Sequence, residues 1–221
     1  MYRNAVYVPY EQAIKLFTWD EDGNRVVNTV SFNPYLYVED PKGTKTSIFG
    51  TKVKQKVFRS SFDRTKFVKD SGIKRIYESL PPAQQYLLDV FWRDNEKPDF
   101  TKRPLKINYI DIETYSPSTG GFPNVDDPTH PVTVITCFDT LDGHGTTFGV
   151  KPYTGDNKDI KYVYCKNERE LFNKFLDYLE NDYPDIITGW NIEGFDIPYI
   201  ITRCERILGE EHVKRLSPLG R

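Results

Sequence analysis

The stretch NERELFNKFLDYLENDYP at 167–184 constrains the fold more than any other part of this chain. Leu171, Phe172, Phe175, Leu176 and Leu179 recur with helical spacing, so the helix they form carries one apolar stripe that must be buried against another layer. Asn167 followed by Glu170 resembles a capping box at its start, and Pro184 stops it. What surrounds the helix decides what that layer is. LKINYIDIE at 105–113, VTVITCFDT at 132–140, TTFGV at 146–150 and KYVYC at 161–165 precede it as strand candidates separated by Gly and Asp turns. DIITGW then follows as a short buried strand, with Trp190 in the core. IPYIITRCERILG supplies a second helix, with Ile197, Ile200, Ile201, Cys204, Ile207 and Leu208 on its inner face. Several antiparallel strands, then helix, strand and helix, predict an α/β (α+β) layer built on a mixed sheet.

The first hundred residues have a different texture. Segments 2–8, 13–19 and 25–38 are rich in Val, Tyr, Phe and Thr, and DEDGN at 20–24 fits a hairpin connection. A helix is expected around 64–71, and a second, short and amphipathic, after the Pro81-Pro82 break. A polar, proline-bearing linker follows. With 221 residues, two units are expected, a β-rich one over 1–104 and an α/β one over 105–221. Cys137, Cys165 and Cys204 are odd in number and widely spaced, which excludes a disulfide framework and a thiolate zinc cluster and leaves reduced, buried thiols. No apolar run is long enough for a membrane span, and the start lacks a signal peptide's apolar core, so the chain is expected to be soluble and intracellular.

Net charge is only −2, but its distribution is uneven. Residues 42–75 hold eleven Lys and Arg against Asp63 and Asp70, giving +9 there and −11 elsewhere. Phe49, Phe58, Phe62 and Phe67 are interleaved with that charge. The residues alone leave two readings open: phosphate contacts with base stacking, or a solvated sheet face whose aromatics are core.

The chemistry lies at the end of the 105–113 strand. Residues two apart share a face of a strand, so Leu105, Ile107 and Tyr109 lie on the face of Asp111 and Glu113, and the acids sit where that apolar face ends. Two close carboxylates repel, and partial burial adds several kcal/mol per ion unless something compensates. A divalent cation is the simplest compensation, and oxygen-only ligands select Mg²⁺ or Mn²⁺. A capped, solvated strand end is the alternative. Asp196 precedes Ile197-Pro198 at a helix start, where alone it reads as an N-cap. With Asp111 and Glu113 in one cleft it would complete a carboxylate set suited to two-metal phosphodiester hydrolysis.

IDIETYSP at 110–117 resembles the first exonuclease motif of family B DNA polymerases, and ITGWNIEGFDIPYI at 187–200 resembles the second. GFPNVDDPTHPVTVIT between them and RLSP after them look like the same region of T-even-type bacteriophage replicative polymerases. The resemblance implies the N-terminal domain of such a polymerase followed by the front part of its ribonuclease-H-like 3′-to-5′ proofreading exonuclease domain. It implies Asp111, Glu113 and Asp196 as catalytic metal ligands, with Asp111 bridging two Mg²⁺ (or Mn²⁺) ions and Glu113 also positioning the attacking water. Asn191 and Phe195 would shape the single-strand site and Phe122 would stack on the terminal base, a core role for Phe195 standing beside that one. Thr114 and Tyr115 border the site, and His130 is a structural hydrogen-bonder. The third motif's Tyr and remaining Asp have no counterpart after Asp196, so the two-ion site is expected to be incomplete and the chain alone to have little nuclease and no polymerase activity. An expressed fragment and a polymerase encoded in pieces both explain this. Implied partners are single-stranded and primer-template DNA, the remainder of the polymerase on the same or a separate chain, and RNA through the N-terminal domain, in the cytoplasm of an infected bacterial host. A free-standing nuclease, a non-catalytic nucleic-acid-binding module using 42–75, and a scaffold for a partner chain remain as alternatives.

Overall fold

The structure, a computed structural model, describes residues 2–77, 80–92, 101–102, 104–117 and 121–220. It divides into two compact units, Met1–Arg103 and Pro104–Arg221. Most of the linker expected after the second helix lies outside the described residues.

The first unit begins with β1 (Tyr2–Val8), β2 (Ala13–Trp19) and β3 (Arg25–Ser31), an antiparallel meander. The segment expected as one strand over 25–38 breaks after Ser31 and resumes as β4 (Tyr35–Glu39) in a different sheet. Pro34 is the physical reason: it has no N–H to continue a ladder, and its carbonyl instead accepts from Phe58 N at 2.9 Å. β5 (Lys45–Thr46), β6 (Lys52–Val57) and β7 (Ile76–Tyr77) complete that second sheet in the order β5-β6-β4-β7. Helix α1 (Ser61–Asp70) starts three residues before the expected position because Ser60 caps it, its side chain accepting from Asp63 N at 3.1 Å. Helix α2 (Pro82–Phe91) lies against β1 and adds Tyr86 to a small cluster with Ile14 and Leu16. Its Gln85 brackets Tyr35, accepting from its N–H at 3.1 Å and donating to its carbonyl at 2.6 Å.

The second unit is a five-stranded mixed sheet with helices on one face. Its strands are β8 (Ile107–Thr114), β9 (Val132–Asp139), β10 (Gly145–Gly149), β11 (Ile160–Tyr164) and β12 (Ile186–Thr188), ordered β11-β10-β9-β8-β12. The pairs β8–β9 and β9–β10 are antiparallel, whereas β10–β11 and β8–β12 are parallel. Helix α3 (Glu168–Asn181) lies against β9 and β10 and buries the five apolar residues its spacing predicts. Asn167 caps it by accepting from Glu170 N at 3.0 Å, while the Glu170 carboxylate accepts from Lys166 N, one residue short of the full reciprocal box. Helix α4 (Asp196–Leu208) lies against α3 and β8, and α5 (Glu210–Val213) follows Gly209.

Three expectations are corrected here. The core face of β8 is Asn108, Ile110 and Ile112, not Ile107 and Tyr109, because the helices cover that face; the shared face of Tyr109, Asp111 and Glu113 is the exposed one. Strand β12 is a half-exposed edge strand rather than a buried one, and Trp190, just past its end, is 92% exposed instead of core. On α4 the buried set is Asp196, Tyr199, Ile200, Arg203 and Cys204, with Ile201 turned outward.

Candidate active site at the end of strand β8

The site forms where β8 runs beyond its short partner. β12 pairs with β8 only as far as Thr188 opposite Tyr109, so the rest of that edge is open. Gly189 then crosses so close over the strand that a Cβ there would stand 2.4 Å from the Ile110 carbonyl oxygen. Residues 191–197 coil tightly into α4. Asn191 adopts φ 51°, a left-handed conformation that Asn tolerates better than most residues. Its carbonyl accepts from Gly194 N and Phe195 N at 2.9 Å each, and Ile192 O accepts from Ile197 N.

This turn delivers Asp196 onto the strand. Its Oδ1 accepts from the Ile112 backbone N–H at 3.1 Å, on the residue between Asp111 and Glu113. Asp196 is not an N-cap: Phe195 occupies that position, and the carboxylate is spent on β8 instead. Burial pushes its carboxyl above the ordinary range, the Asp111 charge pushes the same way, and the hydrogen bond from Ile112 opposes them. Asp111 and Glu113 stand exposed at the strand end. Carboxylate oxygens are the donors that a hard divalent cation takes, and the Asp111 charge is felt at Asp196. Among the described residues, no group of three or more His, Cys, Asp and Glu side chains is arranged to hold a metal ion.

Beside these acids the rings form a ladder. Phe122, 85% exposed, stands 5.5 Å from Phe195, which stands 5.2 Å from the buried Tyr199. The structure therefore joins Phe122, Phe195 and Asp196 at one end of α4. Asn191 shapes the turn leading there, with its side chain packed so close to Gly194 that a Cβ at 194 would meet Oδ1 at 2.5 Å. Tyr115 is exposed, and its backbone N–H donates to Pro131 O at 2.9 Å. His130 is the structural hydrogen-bonder expected: its Nδ1 lies 3.1 Å from Ser116 Oγ and its carbonyl accepts from Tyr199 Oη at 2.7 Å.

Gly189, Tyr199, Thr202 and Arg203 escape a reading of the sequence alone. The last three follow a helical spacing on one face of α4, a polar stripe within an apolar one that signals a surface with its own partner. The three cysteines are free and buried, and burial pushes the Cys204 thiol up to about 11 and Cys137 up to about 12, which keeps both protonated.

A mixed sheet with carboxylates at the end of the strand beside its edge and a helix-borne acid at that strand defines the class, a nuclease-type α/β layer. Residues 82–221 match the sequence profile described as DNA polymerase family B, exonuclease domain, and the chain belongs to that family. It is 30% identical over 231 aligned residues to the DNA-directed DNA polymerase of Escherichia phage RB69, covering 90% of this chain and 25% of that protein. It is 50% identical over 62 residues to the DNA-directed DNA polymerase of Enterobacteria phage T4, covering 28% of this chain and 7% of that one. The chain thus spans about a quarter of the length of the RB69 protein. The solved family B DNA polymerase from the archaeon Pyrobaculum calidifontis shares the fold with a TM-score of 0.68 at 20% identity, over 98% of this chain and 33% of that one. Among the described residues, no helix is long and apolar enough to cross a membrane.

Proposed function

We propose that the chain is the N-terminal part of a DNA-directed DNA polymerase of the T-even bacteriophage type, residues 1–104 forming its N-terminal domain and 105–221 the front of its proofreading 3′-to-5′ exonuclease domain. The reaction is hydrolysis of the terminal phosphodiester of single-stranded DNA, in the cytoplasm of an infected bacterial host, with primer-template DNA and the remainder of the polymerase as partners. One observation carries the reading: in a chain of this family, the Asp196 carboxylate accepts from the backbone of Ile112, between Asp111 and Glu113. Mg²⁺ or Mn²⁺ held by Asp111, Glu113 and Asp196 would polarise the scissile phosphate and lower the pKa of a bound water. Phe122 and Phe195 offer ring faces on which the terminal base stacks, a contact worth about 1–3 kcal/mol and tolerant of sequence. Glu113, exposed on the strand face of Asp111, would orient the attacking water. Asn191 sets the turn that aims Asp196.

Titration with Mn²⁺ followed by electron paramagnetic resonance, together with trimming of end-labelled single-stranded DNA, tests this reading. Asp111→Asn and Asp196→Asn are expected to weaken metal binding roughly 10-fold or more each. Little trimming is expected of the chain alone; metal binding indifferent to both substitutions, or robust trimming that survives them, would sink the reading.

A second reading rests on the basic segment. Helix α1 buries none of its residues, and Lys56 Nζ lies 4.3 Å from the Phe67 ring centroid and 5.9 Å from that of Phe58. Strand β6 exposes Lys52, Lys54 and Lys56. Such a face suits RNA or single-stranded DNA held by phosphate contacts and stacking. Binding that survives Asp111→Ala, weakens with salt and collapses on neutralising those three lysines would favour it.

A further inference from the structure

The loop that carries Phe122 is tied to one helix. Between residues 125 and 130 it presents backbone carbonyls and one carboxylate to α4, and four α4 side chains take them. Tyr199 Oη donates to His130 O at 2.7 Å, Thr202 Oγ1 to Val125 O at 3.0 Å, Arg203 Nη1 to Pro128 O at 2.8 Å, and Arg206 Nη1 to Asp127 Oδ1 at 2.9 Å. Of the two arginines, Arg203 is the buried one, 7% exposed. Its remaining nitrogens grip Glu168 in a fork, Nε to Oε1 at 2.8 Å and Nη2 to Oε2 at 2.7 Å. Glu168 Oε1 also accepts from Val132 N at 2.7 Å, where β9 begins. One guanidinium therefore fixes the loop, the first turn of α3 and, through Glu168, the start of β9.

Buried ion pairs are poor stabilisers, since desolvation consumes most of the Coulombic gain; their best-attested use is to fix register. The register here has a visible beneficiary. Asp196 is the first residue of α4, and the ladder Phe122–Phe195–Tyr199 runs from the loop onto the same helix. A largely exposed ring has little packing of its own to hold it, so its position relative to the Asp196 carboxylate depends on how the loop is anchored.

We infer that Arg203 is a positioning residue: through the carbonyl of Pro128 and its fork with Glu168, it holds the Phe122 loop so that a base stacked on Phe122 presents its phosphate to Asp196. This deepens the nuclease reading and rests on it. Arg203 touches no nucleotide itself, and its effect passes through Phe122.

The test uses the chain in EDTA with a single-stranded oligonucleotide bearing a fluorescent purine analogue at its 3′ end and a dye at its 5′ end. Anisotropy of the dye reads total binding, and the analogue's fluorescence reads stacking. Phe122→Ala should abolish the stacking signal. Arg203→Leu should remove most of it with little change in anisotropy, and should add nothing in the Phe122→Ala background. Arg203→Lys, which keeps the charge beside Glu168 but cannot form the fork, and Thr202→Val, which loosens the same loop, should each give intermediate losses and carry the test should Arg203→Leu not fold. A wild-type stacking signal in folded Arg203→Lys and Thr202→Val chains would overturn the inference. So would a loss of anisotropy of the same size in the presence and absence of Phe122. No binding by the wild-type chain would sink the nuclease reading itself, and this inference with it.

Discussion

The two units handle charge in opposite ways. In the second, ionic groups are drawn inside and paired: Lys106 Nζ lies 2.9 Å from Asp139 Oδ2 and 3.0 Å from Asp182 Oδ2, with Lys106 and Asp139 both buried, and Arg203 grips Glu168. These pairs sit against one continuous core that runs from Ile110 and Ile112 through Phe172 and Leu176 to Tyr199 and Ile200. In the first unit the cluster built on Ile14, Leu16 and Tyr86 is small, and the charges of β6 and α1 face outward. Phe49 and Phe62 are exposed beside them, 70% and 74%. Chemistry on a phosphodiester needs carboxylates fixed to within a fraction of an ångström, which requires a packed scaffold behind them. A polyanion can be held by a charged face whose side chains are individually mobile.

The largest effects should break that contrast at the core. Leu176→Ala is expected to lower the second unit's stability by about 2–5 kcal/mol in urea denaturation, because the side chain is fully buried, whereas Phe62→Ala in the first unit should stay within about 0.5 kcal/mol. Next comes the buried pair. Lys106→Met leaves Asp139 without its buried cation and should cost about 3–5 kcal/mol, whereas truncating exposed Lys54 should leave stability unchanged.

A smaller effect is expected at Asp196, and its sign is opposite. Burial and then Asp111 raise its carboxyl pKa above the ordinary 3.8, so the folded chain binds a proton more readily than the unfolded one. Stability from this group is therefore highest at low pH and falls as pH rises from 3.8 through the raised value. Asp196→Asn keeps an oxygen for the Ile112 N–H and should flatten that fall, leaving the metal-free chain at least as stable at neutral pH while metal binding is lost. Calorimetry across pH checks it; a strongly destabilised Asp196→Asn chain at neutral pH would refute the account. The smallest change should come from neutralising Lys52, Lys54 and Lys56 together. Stability should not move, and the slope of log affinity against log salt for single-stranded nucleic acid should shrink by about 0.7 for each phosphate left without its lysine.

Much of the second unit was legible in one dimension. The apolar spacing of Leu171, Phe172, Phe175, Leu176 and Leu179 specifies α3, because a 3.6-residue period leaves a single stripe to bury. The motif strings around Asp111 and Asp196 identified the family, since the residues of each motif are contiguous in sequence. In the first unit the break after Ser31 was hidden, because β-rich composition continues across Pro34 into another sheet.

Alternation along a strand is periodic in two, so the sequence by itself determined that Asp111 and Glu113 share a face. It could not say which face the helices would cover, and that sheet-level choice left the acids exposed and Ile110 and Ile112 buried. Likewise the sequence placed Asp196 at a helix start, but where its carboxylate points depends on β12 stopping opposite Tyr109 and on Gly189 passing over Ile110. Those arrangements join segments some eighty residues apart, and only the tertiary structure decides them, because local propensity carries no record of which strand edge is left open.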